Sequence, residues 1–140
     1  MGVEIERKFL TKDANWRVGS EGIPYRQGYL CREKGRTVRV RIAGPKAYIT
    51  IKGPAEGCSR AEFEYPIPKE DAEQLFALCD GPLVEKRRYR VPFGGLVWEV
   101  DEFHGENSGL IVAEVELDRE DQPIDLPAWV GAEVTGDARW

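Results

Sequence analysis

The chain has 140 residues, a formal net charge of −5, and 41% apolar against 32% charged residues. That length suits one domain, 1–140, with one real hydrophobic core, and the acidic balance argues against a general nucleic-acid binder, whose footprint is basic. No apolar leader opens the sequence, no run approaches the about 18 apolar residues of a membrane span, and Cys31, Cys58 and Cys79 are too few and too scattered for a disulfide framework or a metal knuckle, so the expectation is a cytoplasmic protein without membrane or nucleic-acid partners.

Residues 4–10 read as the first strand. Residues 11–25, polar and broken by Gly19, Gly22 and Pro24, read as a loop. Residues 26–33, 37–42 and 47–52 follow as strands, the last two joined by a tight Gly44-Pro45 turn. Residues 53–58 make another turn and residues 60–67 another strand. Pro68 then opens a helical stretch, KEDAEQLFALC, with its acidic residues early, where the helix dipole favours them. Gly81-Pro82 closes it. Residues 83–91, 96–103 and 110–117 read as strands separated by turns over 92–95 and 105–109, and the tail from Asp118 has room for short helices only. The three cysteines are expected to act as small buried hydrophobes, and the tryptophans to serve packing.

Eight strands with short connections and one helix predict an antiparallel sheet, because parallel pairing needs crossovers. Side chains two apart on a strand share a face. Glu4, Glu6 and Lys8 therefore form a row opposite Val3 and Ile5. Arg39 and Arg41 repeat the pattern against Val38 and Val40, as do Lys52, Glu62 with Glu64, Lys86 with Arg88, Glu99 with Asp101, and Glu114 with Glu116; Arg60 and Arg90 are in phase with their neighbours. On an open sheet the apolar alternates would need a cover that one helix cannot supply. A closed barrel removes the edges, with the charged rows inside and the helix and tail partly covering the outside. Such an interior must be wet or hold a charged ligand, because an unpaired buried charge costs on the order of several kcal/mol. Carboxylates suit hard divalent cations such as Mg²⁺ or Mn²⁺, and guanidinium groups fork onto phosphate oxygens. A metal-bound polyphosphate presents both.

These residues carry a resemblance. The run Glu4-x-Glu6-x-Lys8 resembles the amino-terminal signature of the CYTH superfamily, the triphosphate tunnel metalloenzymes. VRVR at 38–41, TIKG at 50–53, RAEFEY at 60–65, KRRY at 86–89, WEVDEFHGEN at 98–107, AEVEL at 113–117 and EVTGDARW at 133–140 follow in the family's order. The resemblance implies an eight-stranded antiparallel barrel around a tunnel, few external helices, and hydrolysis or cyclisation of a triphosphate with Mg²⁺ or Mn²⁺, two ions during turnover. It implies phosphate binding by Lys8, Arg39, Arg41, Lys52, Lys86 and Arg88, with Arg60 either joining them or orienting Glu62 or Glu64. It implies metal ligands among Glu6, Glu62, Glu64, Asp101, Glu114 and Glu116, and catalytic roles for Glu4, which positions or deprotonates water, Lys8 and Arg41. Glu99 is in phase but less securely matched. At the end the sequence departs from the pattern: in the family a segment like GDARY usually runs on into a further stretch that can form a helix, and here GDARW ends on Trp140.

Other chemistry lacks material. The sequence has neither a P-loop nor a dinucleotide fingerprint, and His104, the one histidine, cannot build a zinc site or a triad alone; it reads as a turn residue. The expected substrate is inorganic triphosphate, since no feature advertises a base pocket. Alternatives are nucleoside or thiamine triphosphate hydrolysis, adenylate cyclase chemistry on ATP, and a non-catalytic polyphosphate- or nucleotide-binding module. A homodimer fits the general habit of soluble proteins, without a sequence stripe to mark its interface.

Overall fold

The computed structural model describes residues 2–17, 19 and 21–137; Trp140 and the end of the GDARW segment lie outside them. Eight antiparallel strands close a barrel: β1 (Val3–Thr11), β2 (Ile23–Glu33), β3 (Arg36–Ala43), β4 (Lys46–Lys52), β5 (Ser59–Ile67), β6 (Asp80–Phe93), β7 (Leu96–Phe103) and β8 (Ile111–Glu116). The order is β5-β4-β3-β2-β6-β7-β8-β1, and β1 returns to β5. The β3–β4 hairpin turns on Gly44 at φ 58°, and Pro45 follows with the ring-fixed negative φ; this combination suits a two-residue hairpin loop. The β6–β7 turn is shorter than the sequence implies, only Gly94-Gly95, both at positive φ.

β1 forms the seam. One of its edges pairs with β8, Glu6 opposite Glu116 and Lys8 opposite Glu114. The other is shared: Val3–Ile5 pair with Ser59–Ala61 of β5, and beyond them Phe9 and Thr11 pair with a ninth strand, β9 (Val130–Glu133). Where the sequence predicts room for short helices only, the tail carries this strand. It is four residues long, flanked by Pro127 and Gly136, and too short to display a period.

The apolar alternates form two outer cores. Phe9, Tyr89, Val91, Trp98, Val100, Ala113 and Val115 are covered by Trp16 from the 12–22 loop and by Leu117, Trp129 and Val130 from the tail. Trp98 meets Phe9 and Trp129 at ring-centroid distances of 5.5 and 5.8 Å, and Trp16 meets Tyr89 at 5.0 Å. At about 25 cal/mol per Å² and roughly 200 Å² per indole, each buried tryptophan contributes on the order of 5 kcal/mol of transfer free energy before entropy is counted. The second core sets Val40, Ile42 and Ala47 beneath Ala72, Leu75 and Phe76.

That cover is α1 (Lys69–Leu75), with Glu70 and Asp71 in its first turn, continued by one 3-10 turn over Phe76–Leu78. The helical stretch is thus shorter than KEDAEQLFALC, and Gly81-Pro82 lies inside the start of β6 rather than in a linker. Val3, Ile51, Phe63 and Tyr65 remain exposed. The cysteines are half-buried and unpaired instead of buried. Among the described residues, no helix is long and apolar enough to cross a membrane.

Candidate active site

The charged alternates meet one another across intervening strands, which places them on the inner face. Lys52 on β4 reaches past β5 to Glu4 on β1, its Nζ 3.1 and 3.0 Å from the two carboxylate oxygens, and lies 3.3 Å from Glu62. Arg88 on β6 reaches past β7 to Glu114 on β8 at 3.6 Å. The β2–β3–β4 hairpins bring Gln27, Arg39, Arg41 and Thr50 to the same interior, where Gln27, Arg39 and Thr50 are buried.

The carboxylate side is built by β1, β5 and β8. Burial pushes the Glu6 carboxyl up to about 10, reinforced by the charge of Glu114 and a hydrogen bond with it. Burial acts to raise Glu114 too, but the bond from Glu6 and the charges of Lys8, Arg88 and Lys86 hold it low. Glu4 is similarly held low against burial by a bond from Glu62 and by Lys52, while Glu62 is raised by burial and by Glu4. In each pair one carboxyl is raised and its neighbour held low. All the donors are oxygens, and Glu4, Glu6, Glu62 and Glu114 would suit a hard divalent ion. Among the described residues, no three His, Cys, Asp or Glu side chains are already arranged as a ligand shell.

The opposite side rests on Asp101, which is 1% exposed. Arg88 donates Nε to Oδ1 at 2.7 Å and Nη2 to Oδ2 at 2.9 Å, and Lys86 Nζ donates to Oδ2 at 2.6 Å. Burial favours the neutral acid, yet Lys86 and Arg88 outweigh it and hold the Asp101 carboxyl below its ordinary value. Burial draws Lys86 down to about 8 despite Asp101. Arg88 also lies 3.4 Å from Glu99, which Arg90 meets at the exposed rim.

Arg39 and Arg41 differ from these. Neither makes an ion pair among the described residues. Arg39 Nε is buried without a hydrogen-bond partner. Arg41 Nε donates to Gln27 Oε1 at 2.8 Å, and its guanidinium lies over the Tyr25 ring, 4.8 Å from the centroid. Burial, then the charges of Arg39 and Arg88, lower the Arg41 pKa to about 10, which leaves it cationic at neutral pH.

Three sequence-designated residues stand apart. Arg60 spends its fork on the Gly53 carbonyl at 3.1 and 2.7 Å and clamps the 53–58 turn. Glu64 is exposed and accepts from Thr50 Oγ1 at 3.2 Å. Glu116 is exposed at the rim, although burial and the charges of Glu4 and Glu99 still raise its pKa. Lys8 lies near enough to Glu114 to help hold its proton off. His104 is exposed and, with Tyr25, Lys69, Lys86 and Arg87, lines a cavity of about 460 Å³. Gln27, which the sequence reading did not single out, lies opposite Arg41 in the β2–β3 register, with Tyr25 two residues earlier on the same face; an uncharged amide falls outside a search for charged alternation, and the tyrosines Tyr25, Tyr29 and Tyr48 are expected from the sequence only as candidate contacts for an organic end of the substrate.

The site is thus an eight-stranded antiparallel barrel whose interior sets opposed carboxylates against arginines and lysines. This chain belongs to the CYTH family: residues 2–139 match the CYTH domain. It is 47% identical over 141 residues to an inorganic triphosphatase of Acetivibrio thermocellus, covering 100% of this chain and 90% of the relative. It is 40% identical over 143 residues to an inorganic triphosphatase of Nitrosomonas europaea, covering 98% and 92%. The crystal structure of an inorganic triphosphatase superposes with a TM-score of 0.69 at 36% identity, covering 98% of this chain and 89% of that one.

Proposed function

We propose that this protein is a divalent-metal-dependent hydrolase that converts inorganic triphosphate and water to pyrophosphate and orthophosphate. The observation that carries the reading is the pair Arg39, buried, and Arg41, half-buried: cations without a carboxylate ion pair among the described residues, in an interior where Lys52, Lys86 and Arg88 are held by carboxylates. A buried unneutralised charge is costly, and a phosphate chain relieves it. The relatives described as inorganic triphosphatases support the choice of substrate.

In this reading Arg39, Arg41 and Lys8 bind the phosphate oxygens, with Lys86 and Arg88 beside them on Asp101. Lys52 is held by Glu4 and Glu62 at the boundary between the two sides. Glu6, Glu62, Glu114 and, at the rim, Glu116 and Glu64 are the candidate metal ligands. A bound Mg²⁺ or Mn²⁺ would neutralise phosphate oxygens and draw charge from the reacting phosphorus. Asp101 has both oxygens committed to Arg88 and Lys86, so we assign it to holding cations rather than metal. Arg60, turned to a backbone carbonyl, is assigned to the turn.

Glu4, anionic and fixed by Lys52, orients a water that attacks a terminal phosphorus in line. The P–O bond to the bridging oxygen breaks, pyrophosphate leaves, and the water proton passes to solvent or to the departing pyrophosphate. Arg41 and Lys8 stabilise the charge spreading over the transferred group. The test is a metal-dependent screen following phosphate and cyclic AMP across tripolyphosphate, pyrophosphate, ATP, GTP and thiamine triphosphate. Phosphate release should be fastest from tripolyphosphate, should stop on chelation, and should return with Mg²⁺ or Mn²⁺. Cyclic AMP without phosphate, or full activity in metal-free protein, would reject the reading.

A further inference from the structure

Three interior cations are held by carboxylates. Lys52 has Glu4 and Glu62, Lys86 has Asp101, and Arg88 has Asp101, Glu99 and Glu114. Arg41 is held by two uncharged groups, the Gln27 amide oxygen at 2.8 Å and the Tyr25 ring at 4.8 Å. The same ring lies 4.8 Å from the Arg88 guanidinium and 5.9 Å from Lys86 Nζ. Gln27 is buried, 5% exposed, and sits opposite Arg41 in the β2–β3 register.

A carboxylate in place of Gln27 would fix Arg41 equally well and would also cancel its charge. An amide fixes the direction of Nε–H and leaves the charge in place. An aromatic face does the same for the plane of the guanidinium, and its negative quadrupole sits close to like charges that repel one another. Resting on the triphosphate reading above, we infer that Tyr25 and Gln27 are positioning residues that orient Arg41 through neutral contacts, so that its charge is reserved for a phosphate oxygen of the substrate.

The inference separates stability from affinity, which a merely structural role would not do. Gln27→Glu is nearly isosteric and gives Arg41 an ionic partner. It should leave the melting temperature equal or higher, yet weaken binding of inorganic tripolyphosphate tenfold or more. Tyr25→Leu should weaken the same binding several-fold and raise KM more than it lowers kcat; Tyr25→Phe, which keeps the ring, should recover most of that loss. Affinity is measured by calorimetry with inorganic tripolyphosphate and chelator present, so that no turnover occurs, and thermal unfolding is followed alongside. Gln27→Glu binding as tightly as the parent, or Tyr25→Leu matching Tyr25→Phe, overturns the inference. If Tyr25→Leu does not fold, Gln27→Glu decides alone. A parent that binds tripolyphosphate but never hydrolyses it refutes the hydrolase reading and leaves the positioning result to stand on the affinities. A parent that binds none overturns both.

Discussion

Asp101→Asn should unsettle the barrel more than any other single exchange of one atom on the inner face. In the parent, one carboxylate receives three charge-assisted bonds, of 2.6, 2.7 and 2.9 Å, from Lys86 and Arg88. The amide removes the charge and leaves one good acceptor where there were two, so two buried cations lose their principal partner. Breaking a buried ion pair from one side costs about 3–5 kcal/mol. Arg88 retains Glu99 at 3.4 Å and Glu114 at 3.6 Å, which puts the expected loss at the lower end, about 3 kcal/mol. For a chain of this size that lowers Tm by about 10 °C. The assay is thermal unfolding by circular dichroism at pH 7, without phosphate, at low and high salt. Salt should restore little, because the pair is shielded from the bulk.

The same pairing has a pH signature. Asp101's folded pKa lies below its ordinary value of 3.8. Its contribution is therefore complete above the ordinary value and is lost as pH falls through the lower, folded value. The variant should show a shallower acid loss than the parent. A variant melting within about 3 °C of the parent would mean that Asp101 does not carry the cations.

Glu6→Gln should leave metal-free stability unchanged or slightly raised, since the Glu6 carboxyl, pushed up to about 10, already carries its proton at neutral pH; metal-dependent phosphate release should nonetheless fall steeply, and parental turnover would remove Glu6 from the proposed ligands. Arg41→Ala should cost about 2 kcal/mol or more of transition-state stabilisation in kcat/KM for tripolyphosphate. Arg41→Lys should recover only part of this, because an ammonium cannot make the fork; steady-state rates at saturating metal decide, and unchanged constants for Arg41→Ala would reject the assignment.

The barrel was legible because its two faces differ so sharply. Glu4, Glu6 and Lys8 declare a period of two within five residues, and Arg39–Arg41 and Glu114–Glu116 repeat it where the strands are regular. What escaped depends on three-dimensional partners that a period of two does not reveal. β9 is ordered by its pairing with Phe9 and Thr11 rather than by any pattern of its own. Trp16 lies in a polar loop and is fully buried because Tyr89 waits beneath it. Arg60 looks like its inner-face neighbours, yet the Gly53 carbonyl intercepts it. That Lys86 and Arg88 occupy both oxygens of Asp101 is likewise not readable from the spacing of an acid.

The seam at β1 sets how the chain must fold. β1 pairs with β5 from the middle of the sequence and with β8 and β9 from its far end. The hairpins β3–β4 and β6–β7 can form locally and early, but closure waits for the most distant segments. Closing such large loops has to precede the contacts that reward it, so folding should be slow, with much of the barrel assembled before the ring is complete. During synthesis β1 emerges before the strands it pairs with, and its other edge can settle only when β8 has left the ribosome. Until then that edge and Phe9 are open to other chains, and this interval is when the protein is most prone to aggregate.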